Sequence, residues 1–245
     1  MILCILDFET SSLDIKNCSI TEMAWAFFNT DTNKIVACND FLIQPHGEEL
    51  TQEASEITHI TKEDLLSGIG HSEAMHYLFR QLQYNYKINF FTGHNCNIFD
   101  KPIFERYVSG FPLRDQDIFN FPWLDTRCDI PYPAKLATRK LTYLCLEHGY
   151  NIQGAHRAIN DVMGCSHLIA HYGIEKILAY KNSPSLRVEL LNVRPPWEDQ
   201  HSDCDKAKAL GFGFIKEYGW HRILKKFELE ELRPKIEFQY KVVIL

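Results

Sequence analysis

The chain has 245 residues, 45% of them hydrophobic and 24% charged, which allows one sizeable α/β domain plus a small extra unit and argues against global disorder. The net charge of −6 means that bulk charge cannot supply affinity for a polyanion, so any phosphate would have to be drawn by bound cations or local basic patches. None of the eight cysteines is spaced as Cys-x-x-Cys, and Cys4, Cys96, Cys145 and Cys165 sit in apolar segments, as reduced core thiols do.

The elements follow in order. Met1 to Leu6 reads as a buried strand, Ile20 to Phe28 as a second and Lys34 to Ile43 as a third. The last two are joined by the polar turn Asn29-Thr30-Asp31-Thr32-Asn33. Pro45 to Ile60 is expected to be a loop with a short helix, and Thr61-x-x-Asp64 opens another helix as a capping box. Met75, Leu78, Phe79 and Leu82 recur at helical spacing over Ser72 to Gln83. A strand over Ile88 to Thr92 is broken by Gly93, and Asp100 to Val108 is helical, with Pro102 tolerated in the first turn. Phe121 to Asp125 is a short strand, Leu141 to His148 a helix stopped by Gly149, and His156 to Tyr172 the last long helix. This order predicts a mixed five-stranded sheet flanked by helices, ending near residue 180.

Residues 181–203, with Pro184, Pro195 and Pro196, read as a linker, and 204–245 as a small α+β module. In that module Asp205 to Leu210 is expected to be helical. Phe214, Tyr218, Trp220, Ile223 and Leu224 suggest a hairpin, followed by a helix over Phe227 to Leu232 and a terminal strand. Lys216, Arg222, Lys225 and Lys226 interleave with aromatics there, which suits either a nucleic-acid surface or a packing appendage whose core is Phe214 and Trp220. No apolar run approaches the roughly twenty residues of a membrane span, and Ile2 to Leu6 is too short for a signal peptide, so a cytoplasmic protein with no membrane contact is expected.

Five residues carry the chemistry: Asp7, Glu9, Asp100, His156 and Asp161. Asp7 and Glu9 are two apart on a strand, hence on one face, at the C-terminal end where α/β proteins place their sites. Carboxylates gathered there repel one another unless cations are bound, and oxygen-only ligands suit Mg²⁺ or Mn²⁺. Asp100 follows the Ile88 strand near a helix start, where it also fits an N-cap, and His94 and Asn95 are free to meet a ligand or to cap the turn. With a helix beginning near Ala158, Asp161 projects from its first turn and His156 from the preceding loop, placed to take a proton near neutral pH.

Taken together, Asp7-Phe8-Glu9-Thr10, His94-Asn95-x-x-x-Phe99-Asp100 and His156-Arg157-Ala158-x-x-Asp161 resemble the DEDDh (DnaQ-like) 3′–5′ exonuclease superfamily. Ile20-x-Glu22-Met23-Ala24, Thr58-His59-Ile60-Thr61 and Leu124-Asp125-Thr126 add to the likeness, which covers about residues 1–175. The resemblance implies a ribonuclease H-like fold and a two-metal site held by Asp7, Glu9, Asp100 and Asp161, with His156 as general base. It further implies nucleoside 5′-monophosphates released from a 3′ end. Thr10 would meet the terminal sugar, Phe8, Leu13, Ile60 and Phe99 would stack on or wedge against terminal bases, and Asn95 is a further substrate contact. The expected partner is a nucleic acid with a free 3′ end, single-stranded DNA before RNA, with replication or repair proteins alongside. The alternatives are an RNA-trimming enzyme and a catalytically idle subunit that binds 3′ ends.

Overall fold

The computed structural model describes residues 1–109, 121–133, 136–198 and 203–245, which form two compact units. The first unit comprises residues 1–130 and 137–174. Its strands are β1 (Ile2–Thr10), β2 (Ile20–Asn29) and β3 (Lys34–Gln44), joined as an antiparallel meander. Helices α1 (Gln52–Thr58) and α2 (Lys62–Leu66) follow, and α2 starts with the capping box read from Thr61 and Asp64. Then come β4 (Ile69–Gly70), α3 (His71–Tyr84), β5 (Phe90–Gly93), α4 (Asp100–Val108), β6 (Trp123–Asp125), α5 (Leu141–Glu147) and α6 (Ala158–Tyr172). The sheet runs β4-β3-β2-β1-β5-β6, with β5 parallel to both β1 and β6. The expected mixed sheet is therefore present, with one addition: the two-residue β4 pairs parallel to the end of β3, too short a run for hydrophobic alternation to signal.

Alternation along β1 divides its side chains between two layers. Cys4, Leu6 and Phe8 enter a core with Trp25, Phe27, Met75, Leu78, Phe91 and Phe104. Each large apolar side chain fully buried there contributes roughly 1.5–3 kcal/mol. Leu3 and Ile5 are equally buried on the opposite face, and Asp7 and Glu9 continue that row past the hydrophobic part of the strand. Helix α6 packs against β1 and β2. Cys4, Cys96, Cys145 and Cys165 are buried free thiols.

The second unit comprises residues 131–136 and 175–245. Helix α7 (Ile174–Lys181) precedes β7 (Ser185–Leu190), α8 (Asp203–Ala209), the hairpin β8 (Gly213–Ile215) and β9 (Gly219–Lys225), α9 (Lys226–Leu232) and β10 (Tyr240–Ile244). Its antiparallel sheet has the order β10-β7-β9-β8. The stretch expected as a linker thus contributes an inner strand. Leu186, Val188 and Leu190 alternate into the unit's core, a period-two signal masked by the flanking prolines. Residues 199–202 of that stretch lie outside the described residues. Trp220 is buried, and its indole N–H donates to the Arg194 carbonyl at 2.8 Å. Arg222 donates to the Leu210 carbonyl at 2.7 Å and Lys225 to the Ser183 carbonyl at 3.0 Å, so these two cations stitch the unit's own backbone, while Lys216 and Lys226 are exposed. Among the described residues no helix is long and apolar enough to cross a membrane.

Candidate active site

The C-terminal end of β1 gathers the acidic residues. Asp7 and Glu9 share one face, opposite Ala24 and Glu22 of β2. Asp100 is the first residue of α4 rather than its N-cap, a position Phe99 takes. Its carboxylate, only 2% exposed, turns back to β1 and accepts the Phe8 N–H at 3.1 Å. That single bond ties the third motif residue to the strand carrying the first two. Helix α6 starts at Ala158, two residues after the His156 start expected from the sequence, and Asp161 lies in its first turn. His156 is exposed in the loop before it, with φ at +65°. One ligand atom each from Glu9, His156 and Asp161 lie within 4.8 Å of one another, a grouping able to hold a metal ion.

Electrostatics agree with this geometry. Burial is the largest cause that raises the Asp7 carboxyl well above its ordinary range, reinforced by Asp100, Asp161, Glu9 and Glu22. Burial likewise lifts Glu9 to about 8, with Asp161 and Glu22 adding to it. Asp100 is pushed by burial to about 7 although the Phe8 N–H bond pulls it down. Asp161 is raised by burial to about 6 against the lowering influence of His156. One oxygen of Asp161 is buried with no hydrogen-bond partner. Four half-buried or buried carboxylates and an orphaned oxygen form a donor set that hard divalent cations satisfy.

Two further buried carboxylates frame the site. Asp125, at the end of β6, accepts the N–H groups of Asn95 (2.8 Å), Asn97 (3.2 Å) and Arg127 (2.9 Å). This shapes the loop between β5 and α4, where Asn95 holds a left-handed conformation at φ +63°. Gly93 is required at the start of that loop, since a Cβ there would lie 2.8 Å from the Leu6 carbonyl oxygen and from Cys96 Cβ. His94 belongs to the same scaffold. Its Nε2 donates to the Arg139 carbonyl at 2.9 Å and its Nδ1 lies 3.0 Å from the Thr126 hydroxyl. Of the two roles the sequence leaves open for His94, ligand contact or support of the turn, both ring nitrogens take the second, and the Asn95 side-chain oxygen accepts from Arg127 at 2.8 Å. Replacing Asp125 with alanine leaves three buried or half-buried donors without their acceptor. A loss of about 2–4 kcal/mol is expected, read as a lower denaturation midpoint at unchanged m-value.

The second such carboxylate is Glu22, which accepts hydrogen bonds from Arg157 and from the Ala158 N–H. In the sequence it is a lone acid within an otherwise apolar strand, and that is the signal that marks it.

Beside the cluster lies a pocket of about 370 Å³. Glu9 and His156 line it together with Phe8, Thr10, Leu13 and Phe99, so four of the six expected substrate contacts share one cavity. Leu13 is 75% exposed and Phe8 is buried. Ile60 is not among its walls and packs with Leu50 and Leu65 in a small separate core. Asn95 is likewise not among its walls. The opposite wall comes from α1, through Ala54, Ile57 and Thr58. Their i, i+3, i+4 spacing marks a helix face, and Ile57 at 43% exposure is the apolar residue that the sequence reading missed.

Comparison with known proteins agrees with the fold. E. coli exonuclease I in complex with a dA16 oligonucleotide is similar at TM-score 0.60 and 15% identity, over 77% of this chain and 48% of that one. The nuclease domain of 3′hExo, a DEDDh family member bound to rAMP, is similar at TM-score 0.56 and 16% identity, over 69% of this chain and 90% of that one. The zinc-bound E. coli exonuclease I complex with single-stranded DNA aligns at TM-score 0.58 and 14% identity over 95% of this chain and 67% of that one. The chain spans about half the length of exonuclease I in the first of these alignments, 48%. A search of the curated proteins finds no match to this sequence. The RNase T exonuclease family, by contrast, matches residues 4–168, which hold every acidic residue of the cluster and its histidine. With that match and the arrangement of Asp7, Glu9, Asp100, His156 and Asp161, the chain belongs to the exonuclease family, in the DEDDh, DnaQ-like 3′–5′ exonuclease superfamily.

Proposed function

We propose that this protein is a divalent-metal-dependent exonuclease that removes nucleotides from the 3′ end of single-stranded DNA. The observation that carries the reading is the meeting of Glu9, His156 and Asp161, two of which, Glu9 and His156, also line a pocket with Phe8, Leu13, Ile57 and Phe99. Carboxylates, a proton acceptor and an aromatic–aliphatic cleft stand side by side, as hydrolysis of a terminal nucleotide requires. The deprotonated carboxylates of Asp7, Glu9, Asp100 and Asp161 would hold two Mg²⁺ or Mn²⁺ ions, whose charge stabilises the attacking and leaving oxygens.

The remaining work falls to the chain's own groups. His156, exposed and in a loop, takes a proton from the attacking water. The water oxygen bonds to phosphorus, the bond from phosphorus to the 3′ oxygen breaks, that oxygen takes a proton from solvent water, and the shortened strand leaves with a 3′ hydroxyl. The released product is a nucleoside 5′-monophosphate. In this reading the exposed Leu13 and Ile57, which line the pocket, would offer apolar surface to the terminal bases, and Thr10 at the end of β1 would meet the sugar through its backbone. The catalytic domain is assigned to the first unit. Single-stranded DNA is favoured by the exonuclease I complexes with dA16 and dT13, while rAMP bound to 3′hExo supports RNA as a second substrate.

The test is degradation of 5′-labelled single-stranded DNA and matched RNA with Mg²⁺ or Mn²⁺. A ladder that shortens from the 3′ end and stops with chelator is expected, faster on DNA. Absence of cleavage of either strand by folded protein with both metals would refute the exonuclease assignment, and faster RNA cleavage would overturn the DNA preference.

A further inference from the structure

The start of α6 is held from another strand. Glu22 has no exposure, sits in the middle of the meander and faces Glu9 across the β1–β2 register. Its Oε1 accepts Arg157 Nε at 2.9 Å and the Nη2 of the same guanidinium, and its Oε2 accepts the Ala158 N–H at 2.8 Å. Arg157 is the N-cap of α6 and makes no side-chain cap bond of its own. Glu22 therefore accepts the first helical N–H of α6 from 136 positions away, beside the two N–H groups that a local Ser, Thr or Asp cap would serve.

This arrangement is expensive. Burying a carboxylate beside Asp7, Glu9 and Asp40 adds like charge to an acidic cluster, and a local cap with an apolar residue at 22 would satisfy the helix at lower cost. What a local cap does not provide is a rigid tie between α6 and the strand beside β1. His156 immediately precedes the tied pair and Asp161 follows within one turn, its N–H donating to the Arg157 carbonyl at 3.2 Å. Both residues flank the bonds that Glu22 makes.

We propose that Glu22 and Arg157 are positioning residues, which lock the first turn of α6 against the sheet so that His156 and Asp161 meet Glu9. This rests on the exonuclease reading of the same site. A misplacement of about 1 Å in such a constellation costs ~10²-fold in rate. The effect is expected mainly on the chemical step, because His156 adjoins the tied pair, whereas the apolar walls Leu13, Ile57 and Phe99 lie on other segments of the chain.

The experiment compares Glu22→Gln, Arg157→Lys and the double variant Glu22→Gln/Arg157→Gln with the wild type. It reads steady-state kinetics on labelled single-stranded DNA, melting temperature, and amide exchange over residues 158–162. Glu22→Gln is expected to lower kcat by ~10–100-fold with KM within about threefold. Arg157→Lys keeps the cation without its fork and recovers only part of kcat. The double variant carries no unpaired buried charge, so it melts near the wild type yet keeps the low kcat and exchanges faster over 158–162. If Glu22→Gln does not fold, the other two variants decide. A folded double variant with wild-type kcat overturns the proposal, as does unchanged exchange over 158–162. If the wild type cleaves no oligonucleotide, the exonuclease reading fails, and the exchange data still decide whether Glu22 holds the turn.

Discussion

Asp7→Asn is expected to abolish turnover, by ~10³-fold or more, while raising the melting temperature of the metal-free protein. The two effects have one cause. Burial is the largest cause that raises the Asp7 carboxyl above its ordinary range, and the charges of Asp100, Asp161, Glu9 and Glu22 around it add to that. Without cations this repulsion opposes folding, and asparagine, nearly the same shape, removes one member of it without opening a cavity. Relief of about 1 kcal/mol corresponds to ~2–4 °C in melting temperature for a chain of this size. On the proposed mechanism the same change also removes a charged oxygen ligand of the metal ions, worth several kcal/mol of barrier, and tenfold in rate is about 1.4 kcal/mol. Scanning calorimetry in chelator and then in Mg²⁺ checks the pairing. The wild type gains stability on adding Mg²⁺, and the variant gains much less. An Asp7→Asn protein that melts below the wild type in chelator would show that Asp7 stabilises the fold, contrary to the repulsion argument.

Such a trade is legible in the sequence for some residues and hidden for others. Asp7 and Glu9 stand out because strand periodicity puts charges two apart at the end of an apolar run, and the helix pattern after Ala158 places Asp161 in its first turn. These signals are local. Contacts between distant segments leave weaker marks: nothing near Ile57 says that α1 closes the pocket, and nothing near His94 says that both its ring nitrogens are taken by Thr126 and Arg139. The resemblance implies a base contact for Ile60, whereas its apolar side chain is drawn into the core with Leu50 and Leu65. The strand Ser185–Leu190 is hidden in the sequence for a different reason. Prolines on both sides speak for a linker, and the alternation of Leu186, Val188 and Leu190 matters only once β9 and β10 supply hydrogen-bonding partners. Glu22 lies between these cases. A single acid in an apolar strand is visible, but its partners Arg157 and Ala158 are not.

The same carboxylates set an unusual pH response. In chelator the melting temperature is expected to fall as pH rises from about 4 to about 8, the reverse of a protein stabilised by salt-bridged acids. The folded-state values of Asp161, Asp100 and Glu9 are raised to about 6, 7 and 8, above the roughly 4 of the unfolded chain. Over that window the folded protein holds protons that the unfolded chain has released, so the unfolded state binds fewer protons and stability drops with pH. The stabilisation is complete below about pH 4 and lost progressively as pH passes the raised values, a change on the order of a few kcal/mol for groups titrating together. Divalent metal reverses the slope, because the ions bind the deprotonated carboxylates and their stabilisation grows as protons leave. Melting curves across this range, with chelator and with saturating Mg²⁺, are therefore expected to diverge upward in pH, and Asp7→Asn flattens the chelator curve. A chelator curve that is flat or rises between pH 5 and 8 would remove the case for a repelling acidic cluster. Parallel curves with and without Mg²⁺ would separate that cluster from metal binding.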